Sequence, residues 1–319
     1  MRSDALRAAA LKIQLQAPPD EGKEWHRALA AALPEATIAV WPHTLELEDP
    51  DYALVWKPPV DLFAHVRPQR AIFNLGAGVE ALLALPSLPP HVPVFRLEDA
   101  GMATQMAEYV TLAVLSRYRE SAEYAAQQRE HRWQPRQRLP KAQFGVGILG
   151  FGVLGQAVAA TLVPFGFPLC GWSGTRKEIS GVRSFAGRSE LSAFLAATRV
   201  LVCFLPSTPE TRDLLDRATL SALPRGAHLV NVARGGIVVD HDLIDLLDEG
   251  HLASATLDVF RDEPLRPDHP FWQHPRITVT PHVSAVTLVE ESIVQVVAKI
   301  RRLERGQPVT GVVDRARGY

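Results

Sequence analysis

The 319-residue chain is predicted to be an α/β protein with two doubly wound parallel sheets, one in each of two domains. Three observations carry that expectation. Short apolar runs alternate with helical patterns in two successive series, which is how parallel strands joined by crossover helices read. A glycine-rich turn opens the second series, set between an apolar strand and an amphipathic helix. The last helical stretch, Ala285 to Arg305, places Val289, Ile293, Val296, Val297, Ile300 and Leu303 on one face, as a helix returning to the first series would need.

In the first series the strand candidates are LKIQLQ, ATIAVW, YALVW and AIFNLG, each followed by turn or helix-start residues. Between the first two, EGKEWHRALAAALPEA has helical spacing, with Trp25, Leu29 and Leu33 on one stripe. The Pro-rich passage LPSLPPHVPVF closes this region. A single long helix is predicted from Ala103 to about Arg129, finishing in the polar QQREHRWQPRQRLPK. The second series begins at Phe144 with six strand candidates: FGVGILG, FPLCGW, RVLVCFL, AHLVNV, SATLDV and ITVT. Six such segments match a Rossmann-like, dinucleotide-binding domain. The expected organisation is therefore discontinuous. Residues 1–107 and 284–319 form a substrate domain, with a dinucleotide-binding domain, 108–283, inserted between them.

Composition narrows the class. A hydrophobic fraction of 47% and a charged fraction of 22% are those of an ordinary globular protein. Lys+Arg 34 against Asp+Glu 35 leaves a net charge of -1, without the basic field of a nucleic-acid binder. HRWQPRQR therefore reads as an interdomain loop, covering the cleft or a dimer partner. Cys170 and Cys203 lie in apolar runs and read as buried hydrophobes, in keeping with a cytoplasmic protein. No Cys/His spacing suggests zinc, and His65, His91, His131, His269 and His274 form no helical metal pair. The charged opening MRSDALRAAALKIQL leaves no room for the apolar core of a signal peptide. Ile148 to Trp172 is uncharged and long enough to span a membrane, but glycines and prolines break it into a strand–turn–helix–strand unit.

The turn itself, VGILGFGVLGQAVA, carries Gly150, Gly152 and Gly155 as GxGxxG. Gly150 allows the tight turn, Gly152 lets backbone approach a pyrophosphate, and Gly155 lets helix and strand pack closely. N–H groups of Phe151 to Leu154, Val153 included, would face the anion at a helix N-terminus. At the end of the next strand, FPLCGWSGTRK puts Ser173 where an NAD site places its acid, and Arg176 and Lys177 follow. A hydroxyl and two cations suit a 2′-phosphate, so NADPH is expected over NADH, with NADH still possible.

Three strand-end segments then offer polar residues where such sheets bind ligands: NVARGGIVVD with Arg234, SATLDVFRDEPL with Asp258 and Glu263, and ITVTPHVSA with His282. They suit reduction of a 2-keto acid. His282 would protonate the oxygen that hydride addition leaves charged, Glu263 would favour the protonated imidazole, and Arg234 would fork onto the substrate carboxylate.

In this order the motifs resemble the D-2-hydroxyacid dehydrogenase family, in particular its glyoxylate/hydroxypyruvate reductases. The likeness runs from VWKPPVDLF and NLGAGVEALL through MAEYV, GILGFGVLG, CFLPSTPET, NVARGG, LDVFRDEPL and TPHVSAVT to PVTGVVDRARGY. It implies two Rossmann-like or flavodoxin-like lobes and catalytic roles for Arg234, Glu263 and His282. It also implies cofactor contacts along Trp172, Leu205, Pro206, Val232, Ala233 and Asp258. Backbone N–H groups of Ala77 and Gly78 would bind the substrate carboxylate beside a pocket closed by Trp56. The same likeness implies a cytoplasmic homodimer. Two departures stand out: Gly174 replaces an Arg common in this loop, and Met1 to about Ala8 extend past the usual start. The same scaffold also serves NAD(H)-sensing corepressors, which keep the Arg/Glu/His set, so that reading stays beside the enzyme, as does a D-2-hydroxyacid dehydrogenase for a different acid.

Overall fold

The computed structural model describes residues 11–18, 20–42, 47 and 49–318. The extension expected at Met1 to about Ala8 lies outside them. Contacts divide the chain into two compact units, residues 1–101 with 287–319, and residues 102–286.

The first unit holds β1 (Lys12–Gln16), α1 (Gly22–Ala32), β2 (Thr37–Val40), β3 (Tyr52–Val55), α2 (Leu62–His65), β4 (Ala71–Asn74), α3 (Glu80–Leu83) and β5 (Val94–Arg96). Its sheet is wholly parallel in the order β2-β1-β3-β4-β5, the flavodoxin-like order. Every residue of β3 and β4 is buried, which is why YALV and AIFN read as unbroken apolar runs. Trp25, Leu29 and Leu33, the stripe expected of α1, have no exposed surface. One strand escapes the sequence reading. VFR of β5 lies at the end of the Pro-rich passage and is only three residues long.

In the second unit come α4 (Met102–Tyr118), α5 (Ser121–Arg129), β6 (Val146–Leu149), α6 (Val153–Leu162), β7 (Leu169–Ser173), β8 (Val182–Ala186), α7 (Gly187–Ala196), β9 (Val200–Cys203), α8 (Arg217–Ser221), β10 (Ala227–Asn231), α9 (Asp240–Asp248), β11 (Leu252–Leu257) and β12 (Ile277–Val279). Here the parallel order is β12-β11-β10-β9-β6-β7-β8. That is the Rossmann order with one strand added. It places the topological switch between β6 and β9, where such sheets bind dinucleotides.

Two expectations need correction in this unit. The sheet has seven strands rather than six. The extra one, β8, is an edge strand with a single buried residue, so VRSFA lacks the apolar run that betrays central strands. The helix expected across residues 103 to 129 is two helices. Glu120 adopts φ 55°, ψ 41°, a left-handed conformation no residue type there announces, and the chain turns before α5. After the second unit, α10 (Val289–Glu304) returns to the first and packs on α1, burying Ile293, Val296, Val297 and Ile300. Among the described residues no helix is long and apolar enough to cross a membrane.

Candidate active site

The glycine turn is built as its spacing demands. Gly150 has φ 101°, and a Cβ there would lie 2.7 Å from the Phe204 carbonyl carbon and 2.8 Å from the Leu205 nitrogen. Only glycine lets the loops after β6 and β9 come so close, and the contact brings Leu205 to the edge of the turn. A Cβ on Gly155 would meet the Gly150 carbonyl oxygen at 2.5 Å, so helix and turn are in backbone contact. Gly152 faces open space. One detail departs from expectation. The N–H groups of Gly150 and Phe151 both donate to the Trp172 carbonyl at 3.0 Å, so Phe151 is not an anion donor. The groups left at the helix start are those of the first turn, Val153 and Leu154 among them, which have no intrahelical acceptor. A cradle of bare backbone with free first-turn N–H groups fits a diphosphate.

At the end of β7 the polar side chains are partly committed. The Ser173 hydroxyl donates to the Thr175 carbonyl (2.7 Å), closing the turn, and Trp172 Nε1 donates to the Gly187 carbonyl (2.9 Å). Arg176 Nη1 donates to the Ser184 carbonyl (2.6 Å), while Nη2 pairs with Glu190. Glu190 also accepts the Ala186 N–H (2.7 Å); that N–H and Arg176 hold its carboxyl below the usual carboxylate range. The Arg176–Glu190 pair is about half exposed on the arginine side, and such pairs are weak. A phosphate dianion can therefore displace or share it. The backbone N–H of Lys177 donates to Ser184 Oγ (3.1 Å).

Arg234 leaves β10 through a turn held by Asn231. This Asn is 1% exposed, takes the Ala233 N–H on Oδ1 (3.2 Å) and donates Nδ2–H to the Arg234 carbonyl (3.0 Å). Val232 and Ala233, within that turn, are buried. Gly235 follows in backbone contact with residues 260–261. That contact sets the Arg234 turn against the segment carrying Glu263. The Arg234 guanidinium donates through Nη1 to the Ala233 carbonyl (2.6 Å).

His282 and Glu263 do meet. Nδ1 of the imidazole lies 2.7 Å from Glu263 Oε2, and the other carboxylate oxygen accepts the Phe260 N–H at 3.0 Å. An ionised carboxylate only accepts, so Nδ1 carries the proton and Nε2 is the nitrogen left to face a substrate. His282 itself sits at φ 56°. Asp258 holds it there. This fully buried carboxylate accepts from Thr280 Oγ1 (2.5 Å) and from the N–H groups of Val283 (2.9 Å) and Ser284 (2.8 Å), while its carbonyl accepts the His282 N–H (2.9 Å). Both carboxylate oxygens of Asp258 thus bind the loop.

In the first unit, Asn74 donates Nδ2–H to the carbonyls of Gly76 (2.7 Å) and Gly78 (2.9 Å). Because N–H and C=O point opposite ways across a trans peptide, this turns the N–H groups of Ala77 and Val79 away from Asn74. The orientation of the Gly78 N–H is not fixed by these bonds. Trp56 is anchored through its N–H to Gln16 Oε1 (2.9 Å), and Lys57 Nζ lies 5.0 Å from its ring centroid. Sequence reading missed Asn74, Asn231 and Glu190. The signal for the first two is a buried Asn at a strand end before a glycine-containing loop.

Among the described residues no group of His, Cys, Asp or Glu could hold a metal ion. Cys170 and Cys203 are buried free thiols, and burial pushes Cys203 up to about 12.

A Rossmann-ordered sheet, a glycine turn shaped for a diphosphate and a carboxylate-oriented imidazole on a strand-end loop define a dinucleotide-linked oxidoreductase. Residues 111–284 match the D-isomer specific 2-hydroxyacid dehydrogenase NAD-binding domain. A D-isomer specific 2-hydroxyacid dehydrogenase from Xanthobacter autotrophicus Py2, solved with NADPH and MES, is 41% identical (TM-score 0.92), covering 98% of this chain and 100% of that one. The NADPH-dependent glyoxylate/hydroxypyruvate reductase of Sinorhizobium meliloti, solved with NADP and sulfate, is 37% identical (TM-score 0.90), over 97% and 100%. A family protein from Klebsiella pneumoniae 342 is 32% identical (TM-score 0.84), over 97% and 98%. The chain belongs to the D-isomer specific 2-hydroxyacid dehydrogenase family.

Proposed function

We propose that the protein reduces small 2-keto acids, glyoxylate to glycolate and hydroxypyruvate to D-glycerate, with NADPH as the preferred coenzyme. The observation that carries this reading is the His282–Glu263 pair: the carboxylate fixes Nδ1 as a donor and leaves Nε2 to deliver a proton to the substrate. When bound, NADPH would supply the hydride for the keto carbon. His282 Nε2–H gives its proton to the carbonyl oxygen, and Glu263 stabilises the imidazolium beforehand. Arg234 binds the substrate carboxylate and polarises the carbonyl, a fork that Lys does not offer. The N–H groups of Ala77 and Gly78 would bind a carboxylate, and Trp56 would limit substrate size.

Gly150, Gly152, Val153, Leu154 and Gly155 cradle the diphosphate, with Leu205, Pro206, Val232 and Ala233 along its path. Arg176 and Lys177 favour a 2′-phosphate, and Ser173 leaves no carboxylate to repel it. The NADPH- and NADP-bound relatives support the same choice. Cytoplasmic location and homodimeric assembly complete the reading. Leu112 is 66% exposed on α4 and Trp133 is 97% exposed on the extended segment after α5, apolar surface that a second copy would cover.

Steady-state assays across a panel of 2-keto acids, run in parallel with NADPH and NADH, test the proposal. Turnover with NADPH and glyoxylate or hydroxypyruvate is expected. Absence of turnover at millimolar substrate overturns it and leaves a nucleotide-sensing role ahead.

A further inference from the structure

Behind the His282 loop runs a chain of hydrogen bonds that reaches helix α4. Tyr109 Oη lies 2.6 Å from Thr280 Oγ1, and Thr280 Oγ1 lies 2.5 Å from Asp258 Oδ1. The direction of this chain follows from donor counting. The Asp258 carboxylate can only accept, so Thr280 spends its one hydroxyl proton on it, and Tyr109 must donate to Thr280. Burial raises the Tyr109 phenol above its ordinary value, so it keeps the proton it donates.

Asp258 closes the circuit on the catalytic loop. Besides Thr280 it binds the N–H groups of Val283 and Ser284, which lie directly beyond His282. His282 is held at φ 56°, a conformation a non-glycine residue keeps only where its surroundings enforce it. The enforcing contacts are these: Asp258 Oδ1 takes the Val283 N–H and the Thr280 hydroxyl, Oδ2 takes the Ser284 N–H, and Tyr109 fixes the hydroxyl's direction.

We propose that Tyr109 and Thr280 are positioning residues for proton delivery: Tyr109 orients Thr280, Thr280 locks the Asp258 carboxylate, and Asp258 holds the backbone that aims His282. The proposal rests on the reading of His282 as proton donor. Neither residue touches substrate. Their effect is on the aim of Nε2, while hydride transfer and coenzyme binding depend on other groups. An imidazole that wanders by an ångström makes protonation of the oxygen the slow step.

The test compares Thr280→Val, Thr280→Ser and Tyr109→Phe with the parent enzyme and with His282→Ala, using NADPH and glyoxylate. Thr280→Val keeps the shape and removes the hydroxyl. Its kcat is expected to fall about ten- to hundred-fold, the range a misaligned general acid loses. NADPH affinity, measured by fluorescence titration, and KM for glyoxylate should change less than about three-fold. Thr280→Ser restores the hydroxyl and should recover kcat to within about two-fold of the parent, while Tyr109→Phe should fall between the two. The distinguishing readout is the solvent deuterium isotope effect on kcat, which should rise in Thr280→Val. A merely structural role would lower the active fraction and leave that ratio unchanged. The proposal is overturned if Thr280→Val turns over within two-fold of the parent, if its loss comes with an unaltered isotope effect, or if Thr280→Ser fails to rescue. Full turnover by His282→Ala would instead sink the proton-donor reading itself.

Discussion

Gly235→Ala is the sharpest local test of how the site is assembled. A Cβ at Gly235 would sit 1.9 Å from the Phe260 carbonyl carbon and 2.3 Å from the Arg261 nitrogen. Non-bonded carbons rest at about 3.5–4.0 Å, so one segment must retreat by roughly 1.5 Å. No side chain can swing aside, because both obstructing atoms are backbone. Arg234 precedes the glycine, and the Phe260 N–H orients Glu263 (3.0 Å), so the retreat separates the guanidinium from the carboxylate that orients His282. Displacements of about 1 Å at such sites cost on the order of a hundred-fold in rate, and kcat/KM should fall by about that factor. Overpacking should also cost about 1–3 kcal/mol in urea denaturation. Gly236→Ala is the matched control, since a Cβ there meets nothing within 4 Å. It should retain parental kinetics and stability. If Gly235→Ala kept kcat/KM within three-fold of the parent while remaining folded, close packing between the 234–235 and 260–261 backbones would not be what aligns the site.

Other perturbations separate the remaining roles. Glu263→Gln keeps the shape of the partner but removes the carboxylate that accepts from His282 Nδ1 (2.7 Å), so kcat should fall about ten- to hundred-fold with coenzyme affinity unchanged; an unaltered kcat contradicts the pairing. Arg176→Ala should weaken NADPH at least about ten-fold more than NADH in equilibrium titrations, because only NADPH carries the phosphate. Glu190→Gln, which removes the internal competitor for Arg176, should move the preference a few-fold the other way; equal effects on both coenzymes would refute both assignments. His228 bears on stability alone. Burial, with Arg117 adding repulsion, lowers its imidazole from 6.5 to about 3, and its nitrogens lie 2.8 Å from Ser254 Oγ and 3.2 Å from Thr256 Oγ1. The unfolded chain takes up a proton below about pH 6.5 that the folded protein refuses, so stability is full above that pH and declines toward pH 3, at up to about 1.4 kcal/mol per pH unit. Urea melts of His228→Gln should show a shallower acid decline, and an identical slope would count against the buried neutral imidazole.

The central strands were legible because they are buried on both faces: VGIL, VLVC and AHLVN consist almost wholly of residues excluded from water. Edge strands have no such signature. β8 buries only Phe185, and β5 is three residues long behind a run of prolines, so each is fixed by the neighbour it pairs with rather than by its own composition. The break at Glu120 is of the same kind. Nothing in SRYRESAEY disfavours a continuous helix, yet Glu120 turns left-handed between α4 and α5.

The candidate site divides along a similar line. Residues whose chemistry is needed by type were visible: glycines where backbone must approach, an imidazole, an acid and a guanidinium at successive strand ends. What the sequence concealed was which polar groups serve the protein itself. Asp258 looks like a ligand-facing acid until its oxygens are found on Thr280, Val283 and Ser284; Ser173 looks like a phosphate donor until its proton is found on Thr175; Arg176 looks free until Glu190 is found beside it. Glu190 lies 14 residues from Arg176, and Thr280 lies 22 from Asp258. Such pairings arise only once the sheet order brings distant loops together. A buried carboxylate must be satisfied by whatever donors the fold supplies. In this unit the donors it recruits belong to the loop that carries His282, so satisfying Asp258 and aiming the imidazole are one structural event, and a substitution that frees the first should misalign the second.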